Sequence, residues 1–64
     1  MILCEIEFRN KNGAVEQFDT PSEAGEDIET FKKRAGQEFR NFCKEMGLGI
    51  DCILKCRFRE YSEV

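Results

Sequence analysis

The chain has 64 residues, of which 41% are apolar and 36% charged, with six Phe, no His and a formal net charge of −3. That composition is too hydrophobic for a disordered chain and too acidic for general attraction to nucleic acid or an anionic membrane. Residues 1–64 are expected to form a single small domain, near the lower limit at which a chain folds without metal, disulfides or a partner subunit.

Ile2, Cys4, Ile6 and Phe8 alternate with Leu3, Glu5, Glu7 and Arg9, the pattern of a strand with one packed and one wet face. Asn10-Lys11-Asn12-Gly13 closes a hairpin, because Asn-Gly tolerates the positive φ such turns need. The second strand, about Ala14 to Phe18, is short. An even loop turns Val15 inward and an odd loop turns Phe18 inward.

Thr20-Pro21-Ser22-Glu23 has the form of a capping box with proline at the first helical position, so a helix is predicted to start there. Gly25 offers an alternative, a break after a first short turn, with the principal helix beginning near Glu26. Glu23, Glu26 and Asp27 suit the positive end of the helix dipole in either case. At about 100° per residue Ala24, Ile28, Phe31, Ala35, Phe39, Phe42, Cys43 and Met46 fall on one apolar stripe, with Lys32 the charged residue inside it. Glu29 with Lys33, and Arg34 with Glu38, are spaced for i,i+4 pairs on the wet side. Gly47 followed by Leu48 ends the helix, with Leu48 placed to pack back on Cys43.

From Ile50 to Tyr61 the chain alternates again, with Ile50, Cys52, Leu54, Cys56 and Phe58 on one side and Lys55, Arg57, Arg59 and Tyr61 on the other. This reads as a half-buried third strand with a basic outer edge. The predicted fold is α+β: a single ββαβ domain whose three-stranded antiparallel sheet, in the order 2-1-3, carries one amphipathic helix on one face. A right-handed crossover sets that order. It puts Glu5 and Glu7 beside Lys55, Arg57 and Arg59, where cross-strand pairs contribute roughly 0.2–1 kcal/mol each.

Met1 leads directly into the first strand pattern, with no basic leader region, and no apolar run is long enough to span a bilayer. We expect a complete small cytoplasmic gene product with no membrane partner. Four cysteines without histidine raise the question of zinc, but Cys52 and Cys56 on one strand would stand roughly 13 Å apart, too far to share an ion. All four are placed in core-facing phases, as reduced buried thiols, with a Cys4 and Cys56 cross-strand contact the most plausible exception. No metal and no cofactor is predicted. With no His, two Ser and no glycine-rich phosphate loop, no nucleophile has a base, and no catalytic residue is assigned.

Binding remains. The predicted interaction surface is the face away from the helix, made of Leu3, Ile53, Lys55, Arg57, Arg59 and Tyr61, and the expected function is that of a non-enzymatic protein-binding module. By compositional analogy it suits an accessory protein of a phage or mobile element that binds and modulates a host protein. The unpaired edge of a long third strand also predicts a homodimer through that strand. The alternative function is a nucleic-acid-binding module that uses Lys55, Arg57, Arg59 and Tyr61. It is weakened by Glu5 and Glu7 on the same face and by the lone aromatic.

Overall fold

A computed structural model of the chain describes residues 1–61. Strand β1 (Ile2–Arg9) is followed by β2 (Val15–Pro21), helix α1 (Ile28–Met46), a short 3-10 turn (Ile50–Cys52) and strand β3 (Ile53–Glu60). The sheet is antiparallel throughout, in the order β2-β1-β3. The predicted ββαβ architecture is the one that forms. No helix among the described residues is long and apolar enough to cross a membrane.

The hairpin tip is held by Asn10, whose side-chain oxygen accepts from the Asn12 and Ala14 N–H groups, while Gly13 takes φ of 83°. Arg9 pairs with Val15 across this odd loop, so Phe18 lies opposite Ile6 and Val15 is left exposed. The strand then continues beyond the predicted Phe18 to Pro21.

The expectation of a helix from Thr20 is corrected. Thr20 is buried in β2 opposite Cys4. Ser22 prolongs the pairing, since its N–H donates to the Ile2 carbonyl (2.7 Å) and its hydroxyl accepts from the Ile2 N–H (2.8 Å). A side chain and backbone so engaged with β1 cannot also cap a helix. The chain turns at Gly25, at φ of 79°, and the helix starts at Ile28, where Asp27 accepts from the Thr30 N–H at 2.8 Å as N-cap. At the far end Gly47, at φ of 70°, and the Leu48 N–H donating to the Cys43 carbonyl (2.8 Å) close the helix as expected.

Arg34 ties these pieces together. Its guanidinium donates twice to Glu26 (2.8 Å each), to the Pro21 carbonyl (2.8 Å) and to Glu38 (2.5 Å). Glu26 also accepts from the Glu23 N–H at 2.9 Å. The β2–α1 connection is thus fixed by one charged group. Glu29 and Lys33 are not among the ion pairs of the described residues.

The core lies between β1 and the helix: Cys4, Ile6 and Phe8 meet Phe31, Ala35, Phe39 and Cys43. Phe8 packs edge-on against Phe39 and Phe42, with ring centroids 5.7 and 5.4 Å apart, and Phe18 of β2 meets the same two rings at 5.5 and 4.9 Å. The aromatic cluster therefore seats the helix over β1 and β2. Ala24, Ile28 and Met46, predicted in the stripe, are exposed.

Phe39 is 2% exposed, so Phe39→Ala should cost about 3–5 kcal/mol, read as a lowered denaturant midpoint with an unchanged slope. A loss below about 1 kcal/mol would place the ring outside the core. A second expectation concerns acid. Its hydrogen bonds to Arg34 and to the Glu23 N–H pull the Glu26 carboxyl from 4.5 down to about 2, and the Thr30 N–H lowers Asp27. Each folded value lies below the unfolded one, so the Glu26 contribution is complete above about 4.5 and lost as pH falls toward 2. Urea midpoints measured across that range should fall, and Arg34→Met should flatten the fall in part, leaving the share due to Asp27.

Candidate interaction surface on the third strand

Among the described residues β3 borders β1 on one side and no strand on the other. The Tyr61 N–H donates to the Met1 carbonyl at 2.9 Å, which continues the register Leu3 with Arg59, Glu5 with Arg57 and Glu7 with Lys55. In an antiparallel ladder the residues of such pairs exchange both hydrogen bonds, and the intervening residues point their N–H and C=O groups the other way. The backbone groups of Cys56, Phe58 and Glu60 therefore face the free edge. β1 uses its even positions for β2, as the Ile2–Ser22 bonds show, so the two ladders agree in phase.

Every residue of β3 is exposed. On the side facing the helix this includes Leu54 (50%), Cys56 and Phe58 (41%). From the helix, Phe31 meets the Phe58 ring edge-on at 5.8 Å, and the Lys32 ammonium lies 5.6 Å from its centroid. Leu54, Cys56 and Phe58, predicted as core, are thus a half-covered apolar row beside unpaired backbone. The signal was Lys32: a charge within the apolar stripe marks where the helix stops covering the sheet.

The outer row is built around Glu5, whose side chain is only 7% exposed. It accepts from Arg57 Nε at 2.8 Å and Arg59 Nη2 at 3.3 Å, with Gln17 Nε2 at 3.4 Å on its β2 side. Two half-exposed guanidiniums thus compensate one buried carboxylate, as the predicted cross-strand pairing required. Lys55 lies in register with Glu7, and among the described residues it makes no ion pair within 4 Å.

Of the six predicted surface residues, Lys55, Arg57 and Arg59 share the outer row, and Leu3 pairs with Arg59. Ile53 does not join them. A register shift sets Glu7 opposite Lys55 but Phe8 opposite Ile53, so Leu54 is an extra residue in the strand and Ile53 leaves the wet row. Tyr61 is half-buried, and its hydroxyl donates to Met1 Sδ at 2.6 Å.

The expectation of four buried thiols is corrected as well. Cys4 and Cys43 are buried, Cys52 is half-buried in the 3-10 turn, and Cys56 is exposed. The Cys4 thiol is pushed up to about 12, first by burial and then by the neighbouring Cys56 thiol. Burial also raises Cys43, whose sulfur lies 4.0 Å from that of Cys52. Among the described residues no three Cys, Asp or Glu groups converge on a metal-sized site. A shallow cleft lined by Phe8, Lys11, Met46 and Leu48 sits at the hairpin tip, and another lies beside Met1, Ser22, Glu26 and Tyr61. In the second cleft the Ser22 hydroxyl is engaged by the Ile2 N–H and, among the described residues, hydrogen-bonds to none of the carboxylates beside it.

Thiol labelling of the folded protein should reach Cys56 first, Cys52 more slowly, and Cys4 and Cys43 only on unfolding. Mass-resolved labelling that finds Cys56 as slow as Cys4 would mean that the helix covers β3 after all.

Comparison with models of known protein families, with curated proteins and with solved structures finds no match to this chain.

Proposed function

We propose that the protein is a non-enzymatic protein-binding module that works by strand addition at the free edge of β3. One observation carries this reading: of the two edge strands, β3 has an outer backbone side paired with no strand among the described residues and also a helix-side row, Leu54, Cys56 and Phe58, that is only half covered. A partner strand laid there gains main-chain hydrogen bonds and apolar contact at once. Leu54 and Phe58 are each about half exposed, so covering them contributes about 1 kcal/mol apiece, half of the roughly 1.5–3 kcal/mol for a whole side chain. The β2 edge offers less, since Glu16, Asp19 and Pro21 line it and Phe18 already lies under the helix.

The nucleic-acid reading has weaker support. Arg57 and Arg59 are turned onto Glu5, and the Tyr61 hydroxyl is bonded to Met1, which leaves Lys55 as the cation of that row with no ion pair among the described residues. On compositional grounds the setting is the cytoplasm, with the module acting on a host protein as an accessory product of a phage or mobile element.

Affinity capture with edge variants tests the proposal. Cys56→Pro removes an outward N–H without touching the β1 ladder, and Phe58→Asp makes the apolar row polar. Both should lose a partner protein that the wild type and the β2-edge control Val15→Asp retain, with circular dichroism unchanged. Capture indifferent to Cys56→Pro and Phe58→Asp would overturn the reading, as would bound nucleic acid released steeply by salt.

A further inference from the structure

The chemistry of the β3 edge specifies its occupant. Resting on the strand-addition reading, we infer that the edge takes an extended segment of a different protein in which Asp or Glu alternates with apolar residues, and that it discriminates against a second copy of this chain.

The inference starts from the two rows. Outward of the free edge, the odd positions present Lys55, Arg57 and Arg59, and the even positions present Leu54, Cys56 and Phe58 toward the helix side. A strand laid alongside keeps each of its residues on the face of the residue it opposes. It therefore needs apolar side chains on one face and groups compatible with three cations on the other. The structure already contains such a strand on the opposite side of β3. In β1, Cys4, Ile6 and Phe8 are the buried row, while Glu5 and Glu7 oppose Arg57 and Lys55. Arg57 and Arg59 remain half exposed after bonding Glu5, each with further N–H donors, and Lys55 makes no ion pair among the described residues. The row can therefore pair with carboxylates on its free side as well.

A second copy fails the same test. Two-fold antiparallel pairing of β3 with itself places odd positions opposite odd positions. With the axis at Cys56, Lys55 faces the second copy's Arg57. With the axis at Arg57, the two Arg57 side chains face each other and Lys55 faces Arg59. With the axis at Phe58, Arg57 faces Arg59. These positions are the non-hydrogen-bonded pairs on the free edge, where side chains approach most closely and like charges repel most. An acidic strand relieves that repulsion, and another β3 doubles it.

The probe is a peptide carrying the β1 pattern, residues 2–9 with Cys4→Ser, against the same peptide with Lys at both Glu positions. Amide-resolved NMR titration should place the shifts of the Glu peptide on Leu54 to Glu60 and slow exchange at the Cys56 and Phe58 amides. The Lys peptide should bind about tenfold more weakly, the factor expected from two reversed cross-strand charge pairs. Lys55→Glu should narrow or invert that preference, and Cys56→Pro should abolish binding of the Glu peptide. Light scattering should give the 7.5 kDa of one chain.

Equal binding of the two peptides, shifts away from β3, or no binding of either overturns the acidic assignment. If cellular capture still depends on Cys56→Pro in that case, the strand-addition reading stands while this deepening of it falls. If capture also ignores Cys56→Pro, both fall. A stable species of twice the chain mass, cross-linked through Cys56 on oxidation, would make the second copy the occupant and overturn the inference.

Discussion

The width of a single helix governs this structure. An α-helix with its side chains is about 10–12 Å across and strands lie about 4.8 Å apart, so one helix covers about two strands. A three-stranded sheet under one helix must leave an edge strand partly bare. Phe18 decides which one. Its ring meets Phe39 and Phe42, and together with Phe8 it draws the helix toward β2. The β3 side receives the edge of Phe31 and the ammonium of Lys32, and every residue of β3 stays exposed. The uncovered row on β3 is thus a consequence of where the aromatic cluster sits.

The opposite face of the sheet depends on one buried carboxylate. Glu5 sits on the central strand with its side chain 7% exposed, flanked by β2 and β3, and a charge in that position requires compensation. Arg57 and Arg59 supply it from one side and Gln17 completes it from the other. The basic row of β3 is in the first place the counter-charge of β1, which also fixes register: a slip of one residue would turn Leu54, Cys56 and Phe58 onto Glu5.

Much of this was legible in the residues. Two period-two segments around one period-3.6 stripe give the element order, the crossover rule gives 2-1-3, and the charges of β1 and β3 place Glu5 and Glu7 on one face with Lys55, Arg57 and Arg59. Three features were not legible, for separable reasons. Thr20-Pro21-Ser22-Glu23 satisfies the local rules of a helix start, but the alternative use of Ser22, bonding Ile2 from the sheet side, involves a residue twenty positions away. The extra residue at Leu54 carries no Gly or Pro to announce a bulge. Most important for the candidate site, alternation says which face of a strand a residue takes but not whether anything lies over that face. Cys56 and Phe58 have the right phase for the core, yet they stand outside it because the helix is seated elsewhere. Lys32 was the clue, and its meaning depends on knowing which strand lies beneath it.

An exposed apolar edge is ordinarily a hazard, because it invites any extended chain, including another copy, to pair with it. On β3 the same three cations act in two directions. They leave the backbone groups of Cys56, Phe58 and Glu60 open, since they point to the face of the sheet and not along its edge. They also make pairing of β3 with itself a matter of cation against cation. The bulge at Leu54 limits the regular ladder to the stretch where those charges stand, because ahead of it Ile53 and Leu54 oppose a single residue and cannot continue a flat edge. On the strand-addition reading proposed here, selectivity at such an edge comes from charge pattern more than from buried area: the apolar row would supply contact to many strands, and the basic row would decide which of them can lie down beside it.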